Sequence, residues 1–224
     1  MKLSSNTTMV LKNFATINQN LVIKEGSELL TMSSMKNIVA KATVEENFPK
    51  EIAIYDLNEF LASLSIFKSP VLEFEEQYLT IKEEDQPHKK LTYFYSDPSV
   101  VQSPTKTITM PSEEVKFHLD MNKLLEMKRA AGVIGSPDMV LQKSSGNSSL
   151  LVKDKKNDTA NNYSSDIKTD GDGEYKFFFK VENLKLFDGD YDVKISSKNI
   201  SHFKNDKSNI EYWIALEPES TYNS

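Results

Sequence analysis

The sequence of 224 residues has no cysteine, and glycine (seven) and histidine (three) are scarce. The absence of cysteine excludes disulfides, thiolate zinc sites and thiol nucleophiles, and it fits a cytosolic protein. The few glycines form no GxxxxGK[ST] or GxGxxG loop for phosphates, and no GxSxG serine elbow occurs. We therefore predict no catalytic residue, no metal site and no cofactor, and we expect a binding protein instead of an enzyme.

Long apolar runs are also missing. No segment approaches the ~20 apolar residues needed to cross a bilayer, and the opening MKLSSNTT lacks the apolar core of a signal peptide. We expect the protein to stay in the compartment where it is made. Basic residues are in deficit, with 27 against 33 acidic residues, a formal charge of −6 and a pI of about 5.2. This balance argues against binding nucleic acid through overall charge alone.

Apolar spacing in the first half predicts two helices among short strands. Residues 5–17 have a helical apolar stripe, and residues 52–67 begin as a strand and become helical near Asp56, a good helix cap. The predicted stripe of the first helix is Met9, Val10, Leu11, Phe14 and Ile17, and that of the second is Leu57, Phe60, Leu61, Leu64 and Phe67. Strands are predicted at 21–24, 28–32, 38–44, 71–75, 78–83 and 90–95.

The second half repeats this order of elements. A helix is predicted over 119–132, ending at a glycine, with Met121, Leu124 and Leu125 as its apolar stripe, and a short helix over 181–187. Strands are predicted at 138–143, 149–153, 163–168, 174–180, 190–196, 200–204 and 210–217.

A proline-rich segment, SDPSVVQSPTKTITMPS at 96–112, separates the halves and is typical of an extended connector. We predict an α+β protein of two similar domains, 1–110 (with the connector at 96–110) and 111–224. Each domain is expected to have two helices packed on antiparallel sheets. The matching element order favours an internal duplication. Two unrelated α+β halves are the alternative.

Basic residues occupy the side of the predicted helices that faces away from the apolar stripe. Lys12 lies there between Thr8 and Thr16, and the helix at 119–132 places Lys123 and Arg129 outside its stripe. Lys185 lies between Leu184 and Leu186 in the short helix. An acidic chain is expected to mix both signs on such faces, so the pattern indicates an anionic partner. Lysines that serve only solubility are the alternative.

Three charged residues do not fit this pattern. Glu126 shares the polar face of the helix at 119–132, and Lys128 falls near its apolar stripe, so its ammonium would have to reach outward to water. Glu59 lies at the edge of the polar face of the second helix. The first half is therefore expected to supply less positive potential than the second.

Several stretches of the sequence are distinctive: MKLS and LKNFATIN near the start, AIYDLNEFL at 53–61, SDPSVV at 96–101, DGDGEYKFFF at 170–179 and YWIALEPEST at 212–221. They resemble the sliding clamps, the DNA polymerase processivity factors, of T-even-type phages. The resemblance runs from end to end and is weakest over 136–166. It includes the duplication inferred above.

The resemblance implies a clamp fold and a closed trimeric ring whose helices face duplex DNA without reading its sequence. The implied DNA-facing residues are Lys12, Lys123, Arg129, Lys185, Thr8 and Thr16. It also implies a role without catalysis or cofactor, in the cytoplasm of an infected bacterial host. The implied partners are double-stranded DNA, two further copies of the chain, the phage DNA polymerase, an ATP-dependent clamp loader and late-transcription factors.

In such clamps, partner peptides insert apolar side chains near the connector and the C-terminal segment. By position, the candidates for this pocket are Val100, Val101, Ile108, Leu216 and Pro218. Packing of the connector on a sheet is the alternative role for these residues. Two other functions stay open: a phage structural ring protein that does not tether DNA, and a nucleotide-processing enzyme.

Overall fold

The first helix, α1 (Ser5–Ile17), begins where the Ser4 side chain accepts a hydrogen bond from the Thr7 amide at 3.1 Å. Serine is a favoured N-cap because it satisfies an amide that has no partner inside the helix. The bounds agree with the predicted 5–17. The computed structural model describes residues 1–104 and 108–223 of the chain. The chain divides into two units, Met1–Thr107 and Ile108–Ser224.

The first unit contains α1, a second helix and seven strands in its described part. These are β1 (Leu21–Ile23), β2 (Gly26–Met32), β3 (Ile38–Phe48), β4 (Ile52–Ile54), α2 (Leu57–Ser65), β5 (Pro70–Phe74), β6 (Tyr78–Glu83) and β7 (Gln86–Phe94). A 3-10 turn follows at Pro98–Val100. As predicted, Asp56 caps α2, because its side chain accepts from the amides of Asn58 and Glu59.

All pairings inside this unit are antiparallel. β1 pairs with β4, β2 with β3, and β6 lies between β5 and β7. The N-terminus pairs with β5. The Met1 ammonium donates to the Leu72 carbonyl, and the Leu72 amide donates to the Met1 carbonyl, each at 2.7 Å. The helices α1 and α2 pack against each other, and α1 also packs on β2 and β3.

One residue of the predicted apolar stripe of α1, Met9, is not part of the core. Met9 is 49% exposed, and Thr7 is buried where the stripe closes against the sheet. The Thr7 hydroxyl tolerates burial because it donates to the Glu46 carboxylate on β3. A polar residue can therefore occupy a core position that apolar spacing alone does not identify.

Glu46 anchors the start of α1 to β3. Its carboxylate accepts from the Ser4 amide as well as from the Thr7 hydroxyl. Partial burial raises the pKa of Glu46, but the hydrogen bonds from Thr7 and Ser4 outweigh it, so the pKa lies below the usual 4.5. Because the folded-state pKa is lowered, this stabilisation is present above about pH 4.5 and is lost as the pH falls through the folded-state pKa.

We expect Glu46→Gln to lower the free energy of unfolding by about 1–2 kcal/mol at pH 7, since a hydrogen-bonded charge is lost. The difference from the parent should shrink at pH 3.5, where the parent carboxylate also begins to take up a proton. Urea unfolding at both pH values measures this. The exposed neighbour Glu45→Gln is the control, and an equal loss in both variants would contradict the anchoring role.

The second unit contains one α-helix and nine strands in its described part. These are β8 (Val115–Leu119), α3 (Met121–Ile134), β9 (Asp138–Ser144), β10 (Asn147–Lys153), β11 (Tyr163–Asp166), β12 (Glu174–Lys180), β13 (Tyr191–Ser196), β14 (Ile200–Asn205), β15 (Ile210–Ala215) and β16 (Thr221–Asn223). One group of strands has the order β11-β10-β9-β12-β16, and the other has β8-β13-β14-β15. β8 and β16 were not predicted.

The helix predicted at 119–132 starts and ends later in the structure. Leu119 belongs to β8, and Asp120 caps α3 by accepting from the Lys123 amide. The helix passes through Gly132 and ends at Gly135, which has a φ of 67°. A glycine inside a helix costs only about 1 kcal/mol, whereas the left-handed position at a helix end favours glycine strongly.

The helix predicted at 181–187 is wrong. Only Val181–Asn183 is helical there, as a single 3-10 turn, so the described part of the second unit has one α-helix where two helices were predicted. Leu184 and Leu186 are both buried while Lys185 between them is half-buried. Their alternation is that of an extended segment and not of a helix.

The three α-helices bury side chains at the same spacing. α1 buries Thr7, Val10 and Phe14, α2 buries Leu57, Phe60 and Leu64, and α3 buries Leu124, Met127 and Ala131. Each set follows an i, i+3, i+7 pattern. Leu125, which was predicted in the α3 stripe, is instead 42% exposed. The two units are thus similar α+β domains, and none of their described helices is long and apolar enough to span a membrane.

A buried ionic cluster holds the C-terminal segment in the second unit. The Asp138 carboxylate, which is fully buried, accepts from the Lys180 ammonium at 2.6 Å and from the Lys155 amide at 3.0 Å. The Lys155 ammonium lies 2.8 Å from both Glu217 and Glu219. This cluster positions the segment that contains Leu216 and Pro218.

Candidate nucleic-acid interface

The outward face of α1 presents a single cation. Ser5, Met9, Lys12 and Thr16 are exposed along one side of the helix, opposite the buried residues. In the described part of the chain Lys12 makes no hydrogen bond or ion pair, and α1 contains no acidic residue. The ammonium of Lys12 is therefore available to an external anion.

The two threonines beside Lys12 are less available than predicted. The Thr8 hydroxyl donates to the Ser4 carbonyl at 3.0 Å, and the Thr16 hydroxyl donates to the Asn13 carbonyl at 2.7 Å. A DNA phosphate only accepts hydrogen bonds, so it would have to displace these contacts. In this geometry the threonines flank Lys12 without offering a free donor.

The outward face of α2 has the opposite charge. Glu59 is its only charged residue, and it is exposed with Asn58 and Ala62. Glu59 and Tyr93 of β7 line the same surface depression. Burial, followed by the negative charges of Glu59 and Asp56, raises the pKa of Tyr93 to about 12. As the sequence indicated, this helix adds no positive potential.

The basic residues of α3 occupy different environments. Lys123 is turned aside, since its ammonium contacts Ser165 and lies 3.3 Å from Glu126. The hydroxyl of Tyr163 is the main cause that lowers the pKa of Glu126, and Lys123 adds to it. Lys123 is thus partly neutralised by its own unit.

Lys128 and Arg129 lie on different sides of α3. Lys128 is half-buried, and burial lowers the pKa of its ammonium. Its partial burial agrees with the prediction that Lys128 falls near the apolar stripe. Arg129 is exposed and, among the described residues, has no hydrogen bond or ion pair.

The charge on the helices differs in sign from that of the whole chain. The three helices contain four basic residues, Lys12, Lys123, Lys128 and Arg129, and two acidic ones, Glu59 and Glu126. The chain as a whole has a formal charge of −6. Lys185, in the extended segment after the 3-10 turn, is a further half-buried cation. Acidic residues are therefore concentrated outside the helices.

The predicted partner-pocket residues differ in exposure. In the first unit Val100 is 58% exposed in the 3-10 turn, while Val101 is buried against Val22 and Ala53. In the second unit Ile108 is half-buried, Leu216 is buried and Pro218 is exposed. Val101 thus has the packing role that was the alternative. Residues 105–107 of the predicted connector lie outside the described residues.

Sequence reasoning missed two surface grooves, one in each unit. One lies between α2 and β7, has a volume of about 410 Å³ and is lined by Tyr55, Glu59, Leu91, Tyr93 and Phe94 among others. The second lies between α3 and β11, has a volume of about 460 Å³ and is lined by Leu125, Glu126, Arg129, Val133 and Tyr163 among others. We call them the α2–β7 groove and the α3–β11 groove.

Comparison with known proteins assigns the chain to a family. Residues 2–101 match the family described as DNA polymerase processivity factor, and residues 116–218 match the family described as gp45 sliding clamp, C terminal. The sliding clamp of Vibrio phage KVP40 is 33% identical over 223 residues, which cover 97% of this chain and 99% of that protein. The chain belongs to the sliding clamp family.

Other sliding clamps are more distant but match over the same extent. Those of Enterobacteria phage T4 and Escherichia phage RB69 are 29% and 26% identical, and each match covers 99% of both proteins. The resemblance inferred from the sequence is therefore confirmed.

Solved structures show the same clamp fold at low identity. Proliferating Cellular Nuclear Antigen from Entamoeba histolytica has a TM-score of 0.68 and 12% identity, and the match covers 96% of this sliding clamp and 97% of that chain. A chain of the PCNA2-PCNA3 complex from Sulfolobus tokodaii has a TM-score of 0.67 and 11% identity, with 96% of both chains covered. The predicted fold class is confirmed, with the one α-helix of the second unit as the correction.

Proposed function

We propose that this sliding clamp assembles as a closed homotrimer around duplex DNA and tethers the phage replicative DNA polymerase to it. Each chain supplies two clamp domains, 1–110 and 111–224. An ATP-dependent partner opens and loads the ring, since the sequence has no nucleotide-binding loop of its own. The ring also serves late transcription, acts without catalysis or cofactor, and works in the cytoplasm of the infected bacterium.

The distribution of charge is the observation that carries this proposal. Duplex DNA carries about one negative charge per 1.7 Å, so a protein of net charge −6 per chain is repelled unless its cations face the duplex. Four of the six charged residues on the helices are basic, and Lys12 has no partner among the described residues. We propose that Lys12, Lys123, Arg129, Lys185, Thr8 and Thr16 form the surface that meets the DNA.

Weak contact of this kind suits sliding. A few phosphate contacts per chain centre the duplex without reading its bases, because phosphates carry no sequence information. A larger basic surface would bind more tightly and would hinder movement along the DNA. Retention then depends on the closed ring and not on affinity. The acidic remainder of the chain discourages binding of DNA elsewhere.

We further propose that polymerase and other partners bind through short apolar peptide segments near the connector and the C-terminal segment. Val100 and Pro218 are exposed enough to be contacted directly, and Ile108 is half-buried. Leu216 is held in place by a chain segment that the Lys155 ion pairs anchor. Val101 is buried against Val22 and Ala53 in the first unit.

Two measurements test the proposal. Sedimentation equilibrium should give three times the chain mass of 25.5 kDa, and DNA synthesis by the cognate polymerase should become processive only when clamp, loader and ATP are all present. A monomer at micromolar concentration, or polymerase that gains nothing from the clamp, would contradict it. A structural ring protein, the alternative function, would form an oligomer and leave the polymerase unaffected.

A further inference from the structure

One carboxylate joins the start of the second unit to a turn that is distant in the sequence. Glu114, just before β8, accepts hydrogen bonds from the Ser197 amide at 2.9 Å and from the Ser197 hydroxyl at 2.8 Å. It also accepts from the Ser112 hydroxyl at 2.9 Å. Ser197 begins the three-residue turn between β13 and β14, 83 positions after Glu114. The end of the proline-rich segment at 96–112 is therefore fastened to the β13–β14 turn.

The hydroxyl of Ser196 extends this network toward the core. The Ser112 hydroxyl has one proton and gives it to Glu114, so in its contact of 2.6 Å with the fully buried Ser196 it accepts. The Ser196 oxygen in turn accepts from the Lys198 amide at 3.1 Å. Partial burial raises the pKa of Glu114, but the hydrogen bonds from Ser197 and Ser112 outweigh it, so the pKa lies below the usual 4.5. The network thus ends on a charged acceptor, which makes stronger hydrogen bonds than a neutral one.

The same turn holds the C-terminal segment. The Asn199 carbonyl accepts from the Leu216 amide at 3.0 Å, which extends the β14–β15 ladder by one step. Leu216 is buried, and Pro218 two residues later is exposed. Asn199 has a φ of 60°, a left-handed conformation that asparagine adopts more readily than most residues. The β13–β14 turn is therefore in contact with Glu114 and with Leu216.

A second contact fixes the backbone at Glu114. Lys116 and Asp170 exchange two backbone hydrogen bonds, of 2.8 and 2.7 Å, at the start of β8. Gly171 lies so close that a Cβ atom there would be 3.0 Å from the Glu114 carbonyl and 2.9 Å from a Val115 methyl group. Only glycine allows so close an approach of two backbone segments. The Glu114 carboxylate therefore extends from a fixed point of the chain.

We infer that Glu114 is a positioning residue of the partner-binding surface. The inference rests on the proposed function, in which partner peptides bind near Ile108, Leu216 and Pro218. Ile108 lies four residues before Ser112, and Leu216 is bonded to the turn that Glu114 holds. Because one network fastens both segments, a partner meets a preformed surface instead of two segments that must be ordered on binding. A preformed surface binds more tightly, since ordering during association costs affinity.

Polymerase titration tests the positioning role. Glu114→Ala should raise the concentration of cognate polymerase that gives half-maximal processive synthesis by about tenfold, because the cost of ordering the two segments returns. The maximal rate should stay within about twofold of the parent, since the variant ring still tethers the polymerase once it is bound. Primer extension with loader and ATP measures both quantities. Circular dichroism and sedimentation check the fold and the oligomer.

Hydrogen exchange tests the coupling in the clamp alone, without polymerase. In Glu114→Ala the amides of 108–113 and those of 213–218 should both exchange faster than in the parent, because one network holds both segments. Ser197→Ala added to Glu114→Ala should have little further effect, since both substitutions remove the same contact. Faster exchange in 108–113 alone would show that the turn does not link the two segments, and would overturn the inference.

Glu113→Ala is the matched control, because it removes the same charge one position earlier. The Glu113 carboxylate forms partly exposed ion pairs with Lys116 at 3.0 Å and Lys194 at 2.7 Å. This variant should keep the parental polymerase titration and the parental exchange rates. Equal effects of the two variants, or a parental titration for Glu114→Ala, would overturn the positioning role. A parent clamp that never stimulates the polymerase would instead contradict the proposed function, and the exchange rates would still decide whether Glu114 couples the two segments.

Discussion

Glutamate in place of both Lys12 and Lys185 is expected to shorten the DNA synthesised per binding event by about tenfold or more while leaving the oligomer intact. Six cations per ring would become six carboxylates, and each lost phosphate contact lowers the salt-dependent affinity for DNA. Lys12 is exposed and without an ion pair in the described residues, and Lys185, in the second unit, is half-buried. Primer extension against a trap of competing DNA measures the product length.

The control for this variant changes the same net charge elsewhere. Lys24 and Lys198 are both exposed and lie outside the helices, so Lys24→Glu with Lys198→Glu should leave product length within about twofold of the parent. Sedimentation should give the parent mass for both double variants. If the Lys12 and Lys185 variant kept the parental product length, these residues would not face the DNA.

Methionine in place of Lys180 is expected to destabilise the chain by about 3–5 kcal/mol. The Asp138 carboxylate is fully buried and lies 2.6 Å from the Lys180 ammonium. Removing one partner of a buried ion pair leaves an uncompensated charge in a medium of low dielectric constant, whereas methionine keeps the apolar stem. Urea unfolding at pH 7 measures the free energy.

The exposed ion pair between Lys194 and Glu113, at 2.7 Å, supplies the control. Lys194→Met should cost no more than about 1 kcal/mol, because exposed pairs contribute little. Equal losses in the two variants would show that burial of Asp138 is not the cause. The Lys180 variant should also bind partner peptides less well, since the same cluster anchors the segment that contains Leu216.

The sequence was most informative where one periodicity dominated. The bounds of α1 and the Asp56 cap of α2 follow from apolar spacing and from a side chain that satisfies helix amides, both local effects. The strand predicted at 90–95 is present within β7, where Leu91 and Tyr93 are half-buried and Thr92 and Phe94 are exposed. Local signals of this kind do not require knowledge of distant contacts.

The wrong predictions concern residues whose burial or conformation depends on contacts that are distant in the sequence. Thr7 can be buried because the carboxylate of Glu46, 39 positions away, accepts a hydrogen bond from its hydroxyl. No local sequence pattern reveals that contact. The segment at 181–187 alternates buried Leu184 and Leu186 around Lys185, which over so few residues is indistinguishable from a short helix. Gly132 and Gly135 compete as the end of α3, and the backbone at Gly135 settles the choice.

The candidate site was partly visible in the sequence. Lys12 stood out because no carboxylate accompanies it on α1, and the structure leaves it exposed. The contact of Lys123 with Ser165 could not be foreseen, since the two residues are 42 positions apart. The two grooves could not be predicted, because the sequence does not distinguish an exposed apolar residue such as Phe94 or Val133 from a core residue. That distinction depends on which strand edges lie beside them.

Retention on DNA of different topology tests the central claim most directly. The chain is loaded on a nicked circular duplex with its loader and ATP, free protein is removed, and half of the circles are then cut once with a restriction enzyme. A closed ring should stay on the uncut circles and be lost from the linear DNA within minutes. Equal retention on both forms, or equal loss from both, would contradict a clamp that holds DNA by encircling it.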